Sequence, residues 1–231
     1  MKALVLLFLL VLAPDADARC APLGLRVTIT TPANTTIPAD GGIVVAAASG
    51  VDRDMTKGDV KQTGWRFRDG ELLVEPTIDV IAPGLAVYRY PAAKGKLELE
   101  DDDHAVVATM AMTNDKPALL AAPRVKKIVS TKSLGRRGST IVEVVLDGAA
   151  PATAVAIVAV GANGRSLSFG TVAAGEKLVV YEQQRCLLVS NGTIEPRAGE
   201  RVTVFWVDAM GRKSPATKPI AITDTKSRAE K

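Results

Sequence analysis

Residues 140–160 read TIVEVVLDGAAPATAVAIVAV, and their reading decides between helix and sheet. Thr140 to Leu146 is dense in β-branched residues, and Asp147-Gly148 supplies a turn. The alanines from Ala149 to Val160 suit a helix. Pro151 and the β-branched Val155, Ile157, Val158 and Val160 do not, so Ala154 to Val160 is expected to be a strand. The same pattern extends outward on both sides. Val125 to Thr131, Ser166 to Val172, Lys177 to Glu182, Cys186 to Val189, Arg201 to Val207 and Pro219 to Thr223 are further strand candidates. Turn chemistry separates them, with Gly or Asn wherever a positive φ is needed: Ala162-Asn-Gly164, Ala174-Gly175, Asn191-Gly192 and Met210-Gly211.

Upstream, Leu25 to Thr31 alternates apolar with polar, the mark of a half-buried strand. Gly42 to Ala48 is continuously apolar and reads as a buried strand after the Asp40-Gly41 turn. Trp65 to Arg68, the Asp69-Gly70 turn and Glu71 to Glu75 form a hairpin signal. Thr77 to Ile81, Ala86 to Tyr90, Lys96 to Glu100 and Ala105 to Thr113 complete this block. Asn114-Asp-Lys-Pro117 interrupts the pattern, and only Pro117 to Ala122 leaves room for a short helix. Strands every 8–12 residues with such turns define an all-β chain: two antiparallel β-sandwiches in tandem, at 19–116 and 123–223, followed by a polar tail at 224–231.

Arg201 to Ile222, RVTVFWVDAMGRKSPATKPIAI, resembles the end of a bacterial immunoglobulin-like or fibronectin type III-like domain. Asp208, Gly211, Ser214 and Pro215 match its Asp-x-x-Gly turn and Ser-Pro step, and Ala122-Pro-Arg-Val125 suits its opening. Thr31-Pro-Ala-Asn34 with Ile37-Pro-Ala-Asp-Gly41 resembles the first strands of such modules. The resemblance implies immunoglobulin-like sandwiches acting as binding, adhesion or spacer modules. They share a shape rather than a chemistry.

Residues 1–18 fix the expected compartment. Lys2 precedes an apolar run from Ala3 to Ala13, Pro14 ends it, and Ala16-Asp-Ala18 is a small-x-small cleavage pattern. Eleven apolar residues make about 16 Å of helix, too short for a bilayer core of about 30 Å. A signal peptide cut after Ala18 is therefore expected, with the product periplasmic or secreted and without a membrane span. Arg19 directly before Cys20 argues against lipidation. In an oxidising compartment Cys20 and Cys186 are expected to pair, with free buried thiols or pairing between chains as alternatives. Such a bridge closes a loop worth about 4–5 kcal/mol in the chain-entropy model.

Composition excludes several functions. One His rules out His-rich metal sites, and two Cys rule out four-cysteine zinc sites. Against 29 basic and 25 acidic residues, scattered along the chain, there are only nine aromatics, which is not a nucleic-acid surface. No Gly-x-Ser-x-Gly occurs, and no context marks a catalytic carboxylate pair. No enzyme activity and no cofactor are expected.

Two patterns bear on ligands. In LELEDDDH, Asp101, Asp103 and His104 are candidate cation ligands, with Met110 and Met112 adding thioethers for copper. The plainer reading is a strand face and turn, with the methionines filling the core. Trp65/Phe67 and Tyr88/Tyr90 are same-face aromatic pairs: an exposed glycan platform, or one sheet's core. Asn34-Thr-Thr36 and Asn191-Gly-Thr193 match the glycosylation pattern and are read as turn asparagines. The function expected is a non-enzymatic binding or structural module of the cell envelope, with a protein or glycan partner. A copper or calcium binder and a carbohydrate-binding accessory module are the alternatives.

Overall fold

The computed structural model describes residues 26–33, 35–48, 64–90, 96–115, 117–132, 140–162, 167–172, 176–184, 187–188 and 197–225. These residues are all-β. The first half contains β1 (Arg26–Ile29), β2 (Thr36–Pro38), β3 (Ile43–Ala48), β4 (Arg66–Asp69), β5 (Leu72–Val74), β6 (Thr77–Ala82), β7 (Leu85–Arg89), β8 (Lys96–Glu100) and β9 (Val106–Thr113). The second contains β10 (Val125–Lys132), β11 (Thr140–Leu146), β12 (Ala154–Gly161), β13 (Leu167–Thr171), β14 (Lys177–Gln184), β15 (Leu187–Leu188), β16 (Arg201–Asp208) and β17 (Ile220–Thr225).

Three sheets result. The first half makes a four-stranded sheet, β1-β3-β7-β6, and a five-stranded sheet, β2-β9-β8-β4-β5. The second half makes one eight-stranded sheet, β13-β12-β16-β17-β10-β11-β14-β15. That sheet folds over, so that β12 and β16 face β10, β11 and β14 across a shared core. These strand orders are consistent with an immunoglobulin-like β-sandwich fold. The pairing is not wholly antiparallel as the sequence suggested. β2 runs parallel to β9, and β17 runs parallel to β10. β2, which contains Pro38 and falls where the resemblance placed an early strand, lies at the edge of its sheet, where a missing N–H is tolerated. Residues 117–122 form no helix. β17 extends to Thr225, two residues past the expected boundary.

The core occupies three levels. Ile37, Ile43, Val45, Phe67, Tyr88, Leu97, Leu99 and Met110 fill the space between the four- and five-stranded sheets. Ile128, Val142, Val144, Leu146, Ile157, Leu178, Val204 and Trp206 fill the folded eight-stranded sheet. A third cluster joins the halves. Val44, Ala46, Leu85 and Val87 of the four-stranded sheet pack on Val155, Ala156, Val158, Phe169 and Val207. The four-stranded sheet and the β13-β12-β16 wing are therefore covered on both faces.

This explains the two uninterrupted apolar runs. A strand buried on one face alternates, as β11 does with half-buried Ile141, Glu143 and Val145 between buried Val142, Val144 and Leu146. A strand buried on both faces has no polar positions, and Ala154 to Ala159 is buried throughout. A register shift between Ala154 and Ala156 sets Val155 and Ala156 both toward the first half, while Ala154 and Ile157 face the other way.

Candidate functional site

The acidic run forms the turn between β8 and β9. The Asp101 carboxylate accepts the backbone N–H groups of Asp103 at 3.0 Å and Ala105 at 2.9 Å. Its carbonyl accepts the N–H of His104 at 3.1 Å, and His104 takes φ = 63°, where a left-handed residue closes the turn. The Asp102 carboxylate lies against Gly64. Glu100 points to the outer face, yet its side chain is only 4% exposed. Arg68, on the neighbouring β4, covers it: Nη2 donates to Oε2 at 2.8 Å and Nε donates to Oε1. His104 Nδ1 stands 3.6 Å from the same carboxylate. The hydrogen bonds from Arg68 outweigh the cost of burial and hold the Glu100 carboxyl below the usual carboxylate range.

Asp101 and Glu100 are thus committed to a turn and to Arg68. Among the described residues, no three His, Cys, Asp or Glu side chains are grouped to hold a metal ion. Met110 is 2% exposed and belongs to the first core, with Met112 packed on that core. Met110 pairs with Leu97, four strand residues past Val106, or about 13 Å along β9. The structure brings Asp101, Asp103 and His104 together at the turn. It does not bring the thioethers to them.

The aromatic pairs meet across the first core rather than forming an open surface. Trp65 packs edge-on to Tyr88, with centroids 6.0 Å apart at 63°, and Phe67 to Tyr90 at 5.6 Å and 73°. Phe67 and Tyr88 are buried, and Trp65 and Tyr90 close the core's margin.

A second polar centre lies where the halves meet. Asp208 ends β16, and its Oδ1 accepts the N–H groups of Met210 at 3.0 Å and Arg212 at 2.8 Å. Oδ2 accepts Arg212 Nε at 3.0 Å and Nη2 at 2.8 Å. The two side chains are 2% and 7% exposed. Arg212 Nη1 also donates to the carbonyl of Pro117 at 2.6 Å, which ties the connecting segment to the turn. The other side of the turn grips the first half. Thr31 Oγ1 donates to Ala209 O at 3.0 Å, Gly42 N to Met210 O at 2.8 Å, and Arg89 Nη2 to Gly211 O at 3.2 Å. Gly211 has φ = 73°, and a Cβ there would stand 2.5 Å from Val87 Cγ1. Both the backbone and the space demand glycine.

The sequence marked Asp208, Gly211 and Ser214 as a turn, but Arg212 was not singled out. The spacing was present, an arginine four residues after an aspartate, but nothing in the sequence marked that turn as buried. The Cys20–Cys186 pairing and the 1–18 leader lie outside the described residues. Among the described residues no helix is long and apolar enough to cross a membrane.

No protein-family model and no curated protein matches the chain. Among solved structures, the BSP domain of a biofilm-associated protein is 14% identical, covers 87% of this chain and 30% of its own, and has a TM-score of 0.26. This chain therefore spans under a third of that protein's length. Fibronectin(III)-like modules of Clostridium thermocellum CbhA are also 14% identical, covering 89% of this chain and 100% of theirs, at a TM-score of 0.24. The fold described here rests on its own strand order, not on these likenesses.

Proposed function

We propose that this chain is an exported, non-enzymatic binding or structural module of the cell envelope, built from two immunoglobulin-like units at 19–116 and 123–223. The observation that carries the reading is the buried seam between the halves. Val44, Leu85 and Val87 pack on Val158, Phe169 and Val207, and the Asp208–Ser214 turn grips Thr31, Gly42, Arg89 and Pro117. The buried polar groups here fasten backbone to backbone. Such a unit resists bending between its halves and presents its outer strands in a fixed arrangement, which suits a spacer or docking element. The glycan alternative needs exposed aromatics, and the pairs expected to supply them fill a core. A protein partner fits the remaining surface better.

The test takes the mature protein through chromogenic ester, peptide and glycoside substrates, together with small-angle scattering. The expected result is no turnover above the blank and a scattering profile of one compact unit. Steady turnover of any of these substrates would overturn the reading.

A further inference from the structure

The edge of the five-stranded sheet has chemistry that the seam does not use. Among the described residues, β5 has β4 as its sole strand neighbour. The two are joined by a two-residue turn, Gly70-Glu71, with Gly70 at φ = 62°. A two-residue turn makes Asp69 and Leu72 the hydrogen-bonded pair next to it. In the alternating antiparallel ladder, Arg68 and Leu73 are then a non-bonded pair, so the N–H and C=O of Leu73 point away from β4. Leu73 and Glu75 share one face by the period of two, and Glu71 stands beside them in the turn. Leu72 is 68% exposed and Leu73 36%, an unusual apolar content for an open edge. Glu71 is exposed, and the Glu75 side chain is 79% exposed, its contact with Arg66 a long 3.4 Å.

We propose that β5 is a strand-addition site for an extended peptide segment of a partner protein, with basic residues two positions either side of an aligned central residue. An incoming antiparallel strand would exchange two backbone hydrogen bonds with Leu73. Its residue opposite Glu75 lies on that carboxylate's face, and its residue at the turn end lies beside Glu71, so lysine or arginine at both ends completes the charge. Its intervening residues cover Leu72 and Val74, where apolar side chains fit. A second copy of β5 fits badly, because antiparallel self-pairing centred on Leu73 sets Glu71 against Glu75. This inference rests on the reading of the chain as a binding module, and the turnover assay above tests that reading separately.

The test titrates the isotope-labelled protein with Ac-Lys-Val-Thr-Val-Lys-NH2 and with Ac-Glu-Val-Thr-Val-Glu-NH2, followed by amide chemical shifts. The basic peptide is expected to move the amides of residues 71–75 and to bind at least tenfold more tightly than the acidic one. The double substitution Glu71→Lys with Glu75→Lys, both on the exposed edge, is expected to reverse that preference. Equal binding of the two peptides, shifts centred elsewhere, or no shift at millimolar peptide would overturn the proposal. So would concentration-dependent broadening of residues 71–75 without peptide, which would make the occupant a second copy.

Discussion

Two arginine–carboxylate pairs stand in opposite settings. Asp208–Arg212 is almost wholly buried at the seam, and every polar atom that meets it belongs to a turn or to the connecting segment. Arg68–Glu100 sits on the outer face of the five-stranded sheet, with Arg68 a third exposed. Burial changes what each pair does. At the seam, losing one partner strands a charge and several backbone groups without water. At the outer sheet, solvent replaces what is lost. The same chemistry therefore fastens the molecule at one place and trims a hairpin at the other.

Breaking the seam pair gives the largest expected effect. Arg212→Ala leaves Asp208 charged and buried, and should cost about 3–5 kcal/mol in urea unfolding. The paired replacement Asp208→Asn with Arg212→Met should recover part of that loss, because it removes both charges and keeps an Oδ1 acceptor for the N–H groups of Met210 and Arg212. Next comes the apolar part of the seam. Leu85 is fully buried between the halves, and Leu85→Ala should cost about 2–5 kcal/mol by the same assay, nearer the lower end if the small neighbours Ala46 and Ala156 close in. Gly211→Ala should cost about 2 kcal/mol, from the left-handed backbone and the crowding by Val87 together.

The outer pair gives the smallest effect, and one that depends on pH. Because Glu100 is held below the usual range, its contribution is present above the ordinary glutamate pKa of about 4.3 and is lost as pH falls through the lower folded value. Arg68→Ala should be slightly less stable than the parent at pH 6. The gap should narrow as pH drops below about 4. A gap that stays constant with pH would separate Glu100 from the effect.

Much of this comparison was legible in the sequence. The run Gly42 to Ala48 announced a buried strand, and Ala154 to Val160 a strand rather than a helix. What they did not reveal is that each is buried against the other. Period-two patterning says how many faces of a strand are covered, and nothing about what covers them. The polar centres fared differently. LELEDDDH drew attention by its density of charge, but density says nothing of hydrogen bonding, and Asp101 spends its oxygens on its own turn. Arg212 passed unremarked among many arginines, because an arginine's role is set by depth, and depth is a tertiary property. The aromatic pairs were correctly placed on shared faces. Whether that face was open was decided by the second sheet.

Joined by a buried cluster to which both contribute, the halves should unfold together. Hydrogen-exchange pulses across a urea series, read by mass spectrometry on peptides covering 43–48 and 140–146, measure each half in the intact protein. Coincident midpoints for the two peptides are the result expected here. Two separated midpoints, with one half protected after the other has opened, would contradict it.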